Sequence, residues 1–298
     1  MRVLKSLGAV LIGAAVLAAA PGASEEGRML PLTLRRQVEA GGRFTPQETK
    51  VRWKPAETAV IVIDMWDRHW CAGANRRGAE LAPRADRFVA RAREAGALIV
   101  HAPSGCMEAY RDHPARRRAQ SAPPAPNLPE GIEKWCYSIP AEERGKYPLD
   151  QTDGGCDCQP KCATSNPWKR QMDAIRIRDE DAISDSGPEV WNLLEQRGIR
   201  NVLILGVHTN MCILGRPFGL RNMARFGKNV ALVRDLTDTM YNPRAWPYVD
   251  HFRGTGLIVE HIEKYVCPTV SSEQLLGGKP FRFREAPTPE PKRGSDAE

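Results

Sequence analysis

Residues 58–66 read TAVIVIDMW. Five apolar residues in a row, Ala59 to Ile63, show none of the polar alternation of a half-exposed strand, and the run ends in an acid. Such a stretch suits a strand covered on both faces, as in parallel sheets. Downstream, LAPRADRFVARAREAG (81–96) places apolar residues at helical spacing and stops at Gly96. ALIVHAPS (97–104) then reads as a second buried strand, which gives a β-α-β unit. The pattern pauses over residues 105–170 and resumes. DAIRIRD (173–179) is predicted as a short strand. SGPEVWNLLEQRG (186–198) is predicted as a helix capped by Ser186, with Pro188 in its first turn and Gly198 at its end. Next come a strand at 201–207 (NVLILGV), a helix at 211–227 and a strand at 229–236. Helical character follows over 244–254, and the last strand is expected within 256–266. This alternation predicts an α/β fold with a doubly wound parallel sheet, Rossmann-like and three-layered.

The chain has 298 residues and 42% apolar content, enough for a substantial core in one or two domains. The opening MRVLK is a short basic segment. LGAVLIGAAVLAAA is an apolar stretch short for a membrane span, and small residues follow it. These are the features of a secretory signal peptide, placed at 1–23. The expected product is therefore exported, periplasmic or secreted, and free of the membrane after cleavage. Residues 24–57 read as a leader segment, 58–278 as the main domain and 279–298 as a disordered tail. The net charge of +7 is scattered among acids and loops. It gives a weak bias toward anionic partners, with no nucleic-acid motif beside it.

Ligands in doubly wound sheets bind outside the carboxyl ends of the strands. That rule selects Asp64, His101, Arg178, Asp179, the stretch His208 to Cys212, and Asp235. Within GVHTNMC (206–212), Cys212 would sit where a strand turns into a helix. There the helix dipole and free N–H groups lower a thiol pKa, and the same N–H groups can hold an oxyanion. Asp64, at a neighbouring strand end, can take the thiol proton and return it to a leaving group. Trp66 and Trp70 could form an aromatic face for a planar ligand.

IVIDMWDRHWC together with GVHTNMCILGRPFGLRNMARFGKNVALVRD resembles the isochorismatase-like cysteine hydrolase family, which includes nicotinamidases and N-carbamoyl amide hydrolases. The resemblance spans about 58–104 and 172–275. It implies an amidohydrolase with an Asp–Lys–Cys triad, in which Cys212 is the nucleophile and Asp64 the general acid/base. It implies a thioester intermediate formed at a carbonyl carbon, with release of an amine or ammonia. It also implies a cis peptide before His208, and an oxyanion hole made by the N–H groups of His208 and Cys212. His208 stands where relatives carry a small residue and is a candidate substrate contact. No lysine occupies the third strand end: RIRDEDAISDSG offers Arg176 and Arg178. Arg178 is the positional match, and Lys161 or Lys169 of the insertion are the alternatives. Arginine can hold an anion but does not shuttle protons. Arg216 and Arg221 are candidates for a carboxylate or a neighbouring subunit, and the resemblance implies a homo-oligomer acting on a small molecule.

The resemblance implies no required cofactor, although some relatives hold a divalent metal near the first strand. Here DRHWC offers Asp67, His69 and Cys71, with His101 as a further candidate. Five of the eight cysteines lie in the Cys-rich insertion, about 105–170, expected over the carboxyl ends of the strands. After export, CDCQPKC (156–162) is expected to form disulfides, with Cys106 and Cys136 as partners, stapling the insertion as a lid. Two rival readings accompany the hydrolase: a non-catalytic binding or structural domain on the same fold, and a metal- or redox-active protein built on the insertion.

Overall fold

A computed structural model describes residues 29–287. One eight-stranded sheet has the order β2 (Arg43–Trp53), β1 (Leu30–Ala40), β8 (Thr269–Val270), β7 (Asn229–Asp238), β6 (Asn201–Val207), β3 (Thr58–Ile63), β4 (Leu98–Ala102) and β5 (Ala182–Ile183). β3 (Thr58–Ile63) lies near its centre, parallel to β4 (Leu98–Ala102) on one side and to β6 (Asn201–Val207) on the other. Every residue of β3, β4 and β6 is buried. Ala59, Ile61 and Ile63 face one apolar layer, and Val60 and Val62 face the other. The first layer includes α2 (Pro114–Gln120), α3 (Gly187–Gln196), α4 (Leu220–Arg225) and α5 (His251–Tyr265). The second is built on α1 (Ala72–Ala95), through Leu81, Ala85, Phe88 and Val89. Fully apolar strands between two helix layers are what the uninterrupted runs encode.

The chain winds from β3 through α1 to β4 and β5 (Ala182–Ile183). It then returns across β3 through α3 to β6 and β7 (Asn229–Asp238). The reversal of direction falls between β3 and β6, and their carboxyl ends carry Asp64 and His208. Gly206 lets the two strands meet there. Its φ is +115°, and a Cβ at this position would stand 2.0 Å from the Ile63 carbonyl oxygen.

Several elements differ from the sequence reading. The leader contains a long antiparallel hairpin, β1 (Leu30–Ala40) and β2 (Arg43–Trp53), which joins the sheet through β8 (Thr269–Val270). Residues 173–179 form no strand: Asp86 takes both the backbone N–H and the guanidinium of Arg176, and Ile175 alone anchors the segment in the core. Residues 256–265 belong to α5 rather than a strand, because Ile258 and Ile262 lie on one helical face, with Val266 at the C-cap packed in the same layer. The segment 211–227 is broken, with a wide π-helical turn at Thr209–Ile213 and a separate α4, divided around Gly215, Pro217 and Gly219. The start of the expected tail is packed: the Phe281 N–H reaches Asp235, and Phe283 lies against Phe252. The signal segment at 1–23 falls outside the described residues.

Candidate active site

Cys212 lies in the Thr209–Ile213 turn directly after β6 and is 9% exposed. The peptide between Val207 and His208 is cis. The His208 backbone N–H and the Asp64 side chain both bond to the Cys212 sulfur. Asp64 is fully buried with φ +50°, a conformation uncommon outside glycine. Its Oδ1 accepts the Ser104 N–H at 2.8 Å. Its Oδ2 accepts Arg216 Nε at 3.0 Å and is 2.9 Å from a terminal nitrogen of the same guanidinium.

Arg216 therefore holds the place beside the acid. It lies four residues after Cys212, and its backbone N–H bonds the Cys212 carbonyl at 3.0 Å. One turn thus brings sulfur and guanidinium to the same carboxylate. Among the described residues the guanidinium bonded to Asp64 is that of Arg216, and the bond found for Arg178 is its backbone N–H to Asp181 Oδ2 at 2.8 Å. Of the insertion lysines, Lys161 Nζ reaches the Asp153 carbonyl, and the Lys169 backbone N–H reaches Asp67. The cation on Asp64 is Arg216, in place of Arg178 or an insertion lysine. The i, i+4 spacing from Cys212 was the available signal for it.

Burial pushes the Asp64 carboxyl upward, against the opposing pull of Arg216 and the Cys212 and Ser104 hydrogen bonds. Burial and the Asp64 charge push the Cys212 thiol well up, with Arg216 opposing. Both groups are thus pushed toward their protonated forms, and Arg216 opposes the shift at each.

An aromatic group covers this end of the sheet. Trp66 stacks on Trp168 at 4.3 Å between centroids and donates its indole N–H to the Ser104 carbonyl. His69 lies 5.3 Å from Trp70 and 4.8 Å from His208. Trp168 was missed in the sequence because it belongs to the Pro-rich insertion. Burial lowers His69 to about 4 and His208 to about 3, so both rings are neutral near pH 7. A cleft of about 780 Å³ opens alongside, lined by Trp135, Tyr147, Asn210, Met211, Arg221 and His261 among others. Asn210 and Met211 immediately precede Cys212. Arg221 is not free for a ligand carboxylate, since it grips Glu142 with two 2.7 Å bonds.

Of the candidate ligands for a divalent ion, Asp67, His69 and His101 already carry hydrogen bonds. His101 spends its ring nitrogens on Gln171 and Asp181, and Asp67 accepts backbone N–H groups of Lys169 and Arg170. The His69 Nδ1 accepts the Cys71 N–H. The disulfide staple is overturned. All eight cysteines are free thiols; Cys156, Cys158 and Cys162 gather with Cys71 without a disulfide, and the Cys136 thiol reaches the Ser138 carbonyl. Asp235 is structural, accepting the N–H and hydroxyl of Ser272.

Fold and site together define a doubly wound α/β protein with a buried cysteine–aspartate–arginine cluster at the point where the sheet reverses. No family model and no curated protein matches the chain. Solved structures do. A cysteine hydrolase from Pseudomonas syringae pv. phaseolicola is 18% identical, with 76% of this chain and 94% of that one covered and a TM-score of 0.47. An isochorismatase from Pseudomonas putida is 12% identical, over 78% and 93%, at 0.44. The pyrazinamidase of Pyrococcus horikoshii, solved in complex with zinc, is 19% identical over 69% and 96%, at 0.37. The structural likeness is to isochorismatase-type proteins, at low sequence identity.

Proposed function

We propose that this chain is a cysteine hydrolase that cleaves a C–N bond in a small amide or carbamoyl compound through a thioester on Cys212. The observation that carries the reading is the convergence of Cys212, Asp64 and Arg216 at the sheet reversal. Asp64 takes the Cys212 proton as sulfur attacks the carbonyl carbon, and the carbonyl π electrons move to oxygen. The N–H groups of His208 and Cys212 are assigned to that oxygen. Collapse breaks the C–N bond, and Asp64 hands its proton to the departing nitrogen. Water then attacks the thioester with Asp64 as base, releasing the acid and restoring the thiol. Arg216 keeps its proton throughout. It holds Asp64 in place and favours its ionised form, the electrostatic part of a lysine's role. The choice of amide over other acyl groups rests on the family resemblance of the two sequence stretches quoted above. The neutral wall of Trp66, Trp70 and His208 would receive a planar, uncharged substrate. Export is part of the reading, supported by the N-terminal residues, and cell fractionation tests it.

The deciding assay measures ammonia release from a panel of small amides and carbamoyl compounds, with Cys212→Ala as control. Release that vanishes in the variant supports the hydrolase. No release by either protein, with Cys212 also inert to iodoacetamide, refutes it in favour of a binding domain.

A further inference from the structure

Four cysteines outside the proposed hydrolytic site form a separate centre. Cys71 stands at the N-cap of α1, and Cys156, Cys158 and Cys162 belong to the insertion. The sulfurs of Cys71, Cys156 and Cys158 all lie within 4.8 Å of one another. Cys71 and Cys158 are 3.9 Å apart. Cys162 packs against this group as a fourth thiol beside the three. Bonded sulfurs stand about 2.0 Å apart. Four sulfurs about 2.3 Å from a central ion form a tetrahedron with edges of about 3.8 Å. The spacing of Cys71, Cys156 and Cys158 is that of ligands around an ion, with Cys162 the neighbouring fourth thiol.

The backbone is arranged for thiolates. The Gly73 N–H reaches the Cys158 sulfur at 3.2 Å. Those of Ala72 and Ala74 serve Cys162 and Cys71, and those of Cys158 and Cys162 serve Cys156. Three of these donors belong to the first turn of the 24-residue helix α1, whose positive dipole end favours negative charge. That turn carries no acid. Donors of this kind orient metal-bound sulfur and spread its charge. The Cys71 thiol lies 3.5 Å from Asp157 Oδ1, and Arg77 holds the other oxygen of that carboxylate at 2.6 Å.

We propose that Cys71, Cys156, Cys158 and Cys162 bind one zinc ion in a closed four-thiolate site that clamps the insertion onto the corner between β3 and α1. Four soft ligands with no open position make the site structural rather than catalytic. Binding forms four metal–sulfur bonds and releases the thiol protons to solvent, with no change of oxidation state. The ion links residues 85 or more positions apart. The clamp bears on the hydrolytic site, because Met211, next to Cys212, and Met240 both pack on the cysteines. Asn210 continues the connection by bonding Gln151 of the insertion and both backbone groups of Met240.

The full chain, expressed with zinc in the medium, is assayed for metal by mass spectrometry. The expected result is about one zinc per chain, released in step with thiol modification by a mercurial reagent. Cobalt substituted for zinc should give the visible bands of tetrahedral thiolate coordination. Cys162→Ser should weaken zinc binding at least about tenfold, whereas Cys136→Ser and Cys267→Ser should keep full occupancy. Should the Cys162 variant fail to fold, mercurial release and the cobalt spectrum of the unaltered chain still decide the matter. A chain that carries no zinc, gains none on incubation and shows no cobalt bands overturns the proposal. So does iron in place of zinc, or a Cys71–Cys158 disulfide in a peptide map. None of these readouts depends on hydrolytic activity.

Discussion

Asp64 shows how much chemistry one buried side chain can concentrate. To act as base it must be ionised, yet burial raises its pKa and only Arg216 and local hydrogen bonds pull it back. Activity should therefore be present above the raised Asp64 pKa and lost as pH falls through it, with an acid limb above the usual carboxylate range. Arg216 lowers that pKa, so Arg216→Ala should move the limb of a kcat/KM profile to higher pH. Arg216→Lys keeps the charge and loses the two-nitrogen grip, and should fall between the two. An acid limb that stays in place in Arg216→Ala would remove arginine from the mechanism. Asp64→Asn should cost about 10²–10⁴ in kcat/KM while leaving the fold intact, read by steady-state assay beside circular dichroism. Cys212 and Asp64 were legible in the sequence because Asp64 directly ends an apolar strand and Cys212 lies in the turn after another. Arg216 was not, because a continuous helix from 211 hid the broken turn that aims it at the carboxylate.

Between β3 and β6 a single missing side chain sets the geometry of the site. Gly206→Ala would drive a Cβ into the Ile63 carbonyl, with φ in a region alanine seldom adopts. Destabilisation of about 2 kcal/mol or more is expected, read by urea unfolding. Activity should fall in the surviving folded fraction, because the same contact fixes the turn that carries Cys212. A neutral outcome would mean that the strand ends can part without harm. The elements that were readable share one trait: β3, β4, β6 and α3 bury runs or stripes long enough to dominate their local pattern. The misread ones lack it. Residues 256–266 mix an apolar run with helical spacing, and only packing on the sheet decides for helix. The β1–β2 hairpin has mostly exposed side chains and is held by backbone pairing, which hydropathy does not report. The insertion is arranged around side-chain contacts between distant residues, so its cysteine cluster left no periodic trace.

The molecule as a whole carries buried neutral histidines near its proposed catalytic end, and this has a consequence for stability. His208 is 3% exposed and its pKa lies near 3, lowered first by burial and then by the neighbouring His69. In the unfolded chain the ring would titrate near 6.5. Below that pH the unfolded state binds a proton that the folded state refuses, so stability must fall as pH drops. Across one and a half pH units, from 6.5 to 5, the loss from this residue is about 2 kcal/mol. His69, lowered to about 4, acts in the same direction with a smaller effect because it is partly exposed. Asp64, with its raised pKa, works against them, since it takes up a proton more readily when folded. The depressed carboxylates Glu142 and Asp181, both near 2, add their losses at lower pH, beneath the ordinary carboxylate range. The histidine contribution is isolated by comparing thermal unfolding of the wild type and His208→Gln at pH 7 and pH 5. The wild type should lose more stability between the two pH values than the variant does. Equal losses would mean that protonation of His208 is not resisted by the fold, and that the cis-linked corner admits water or a counter-charge.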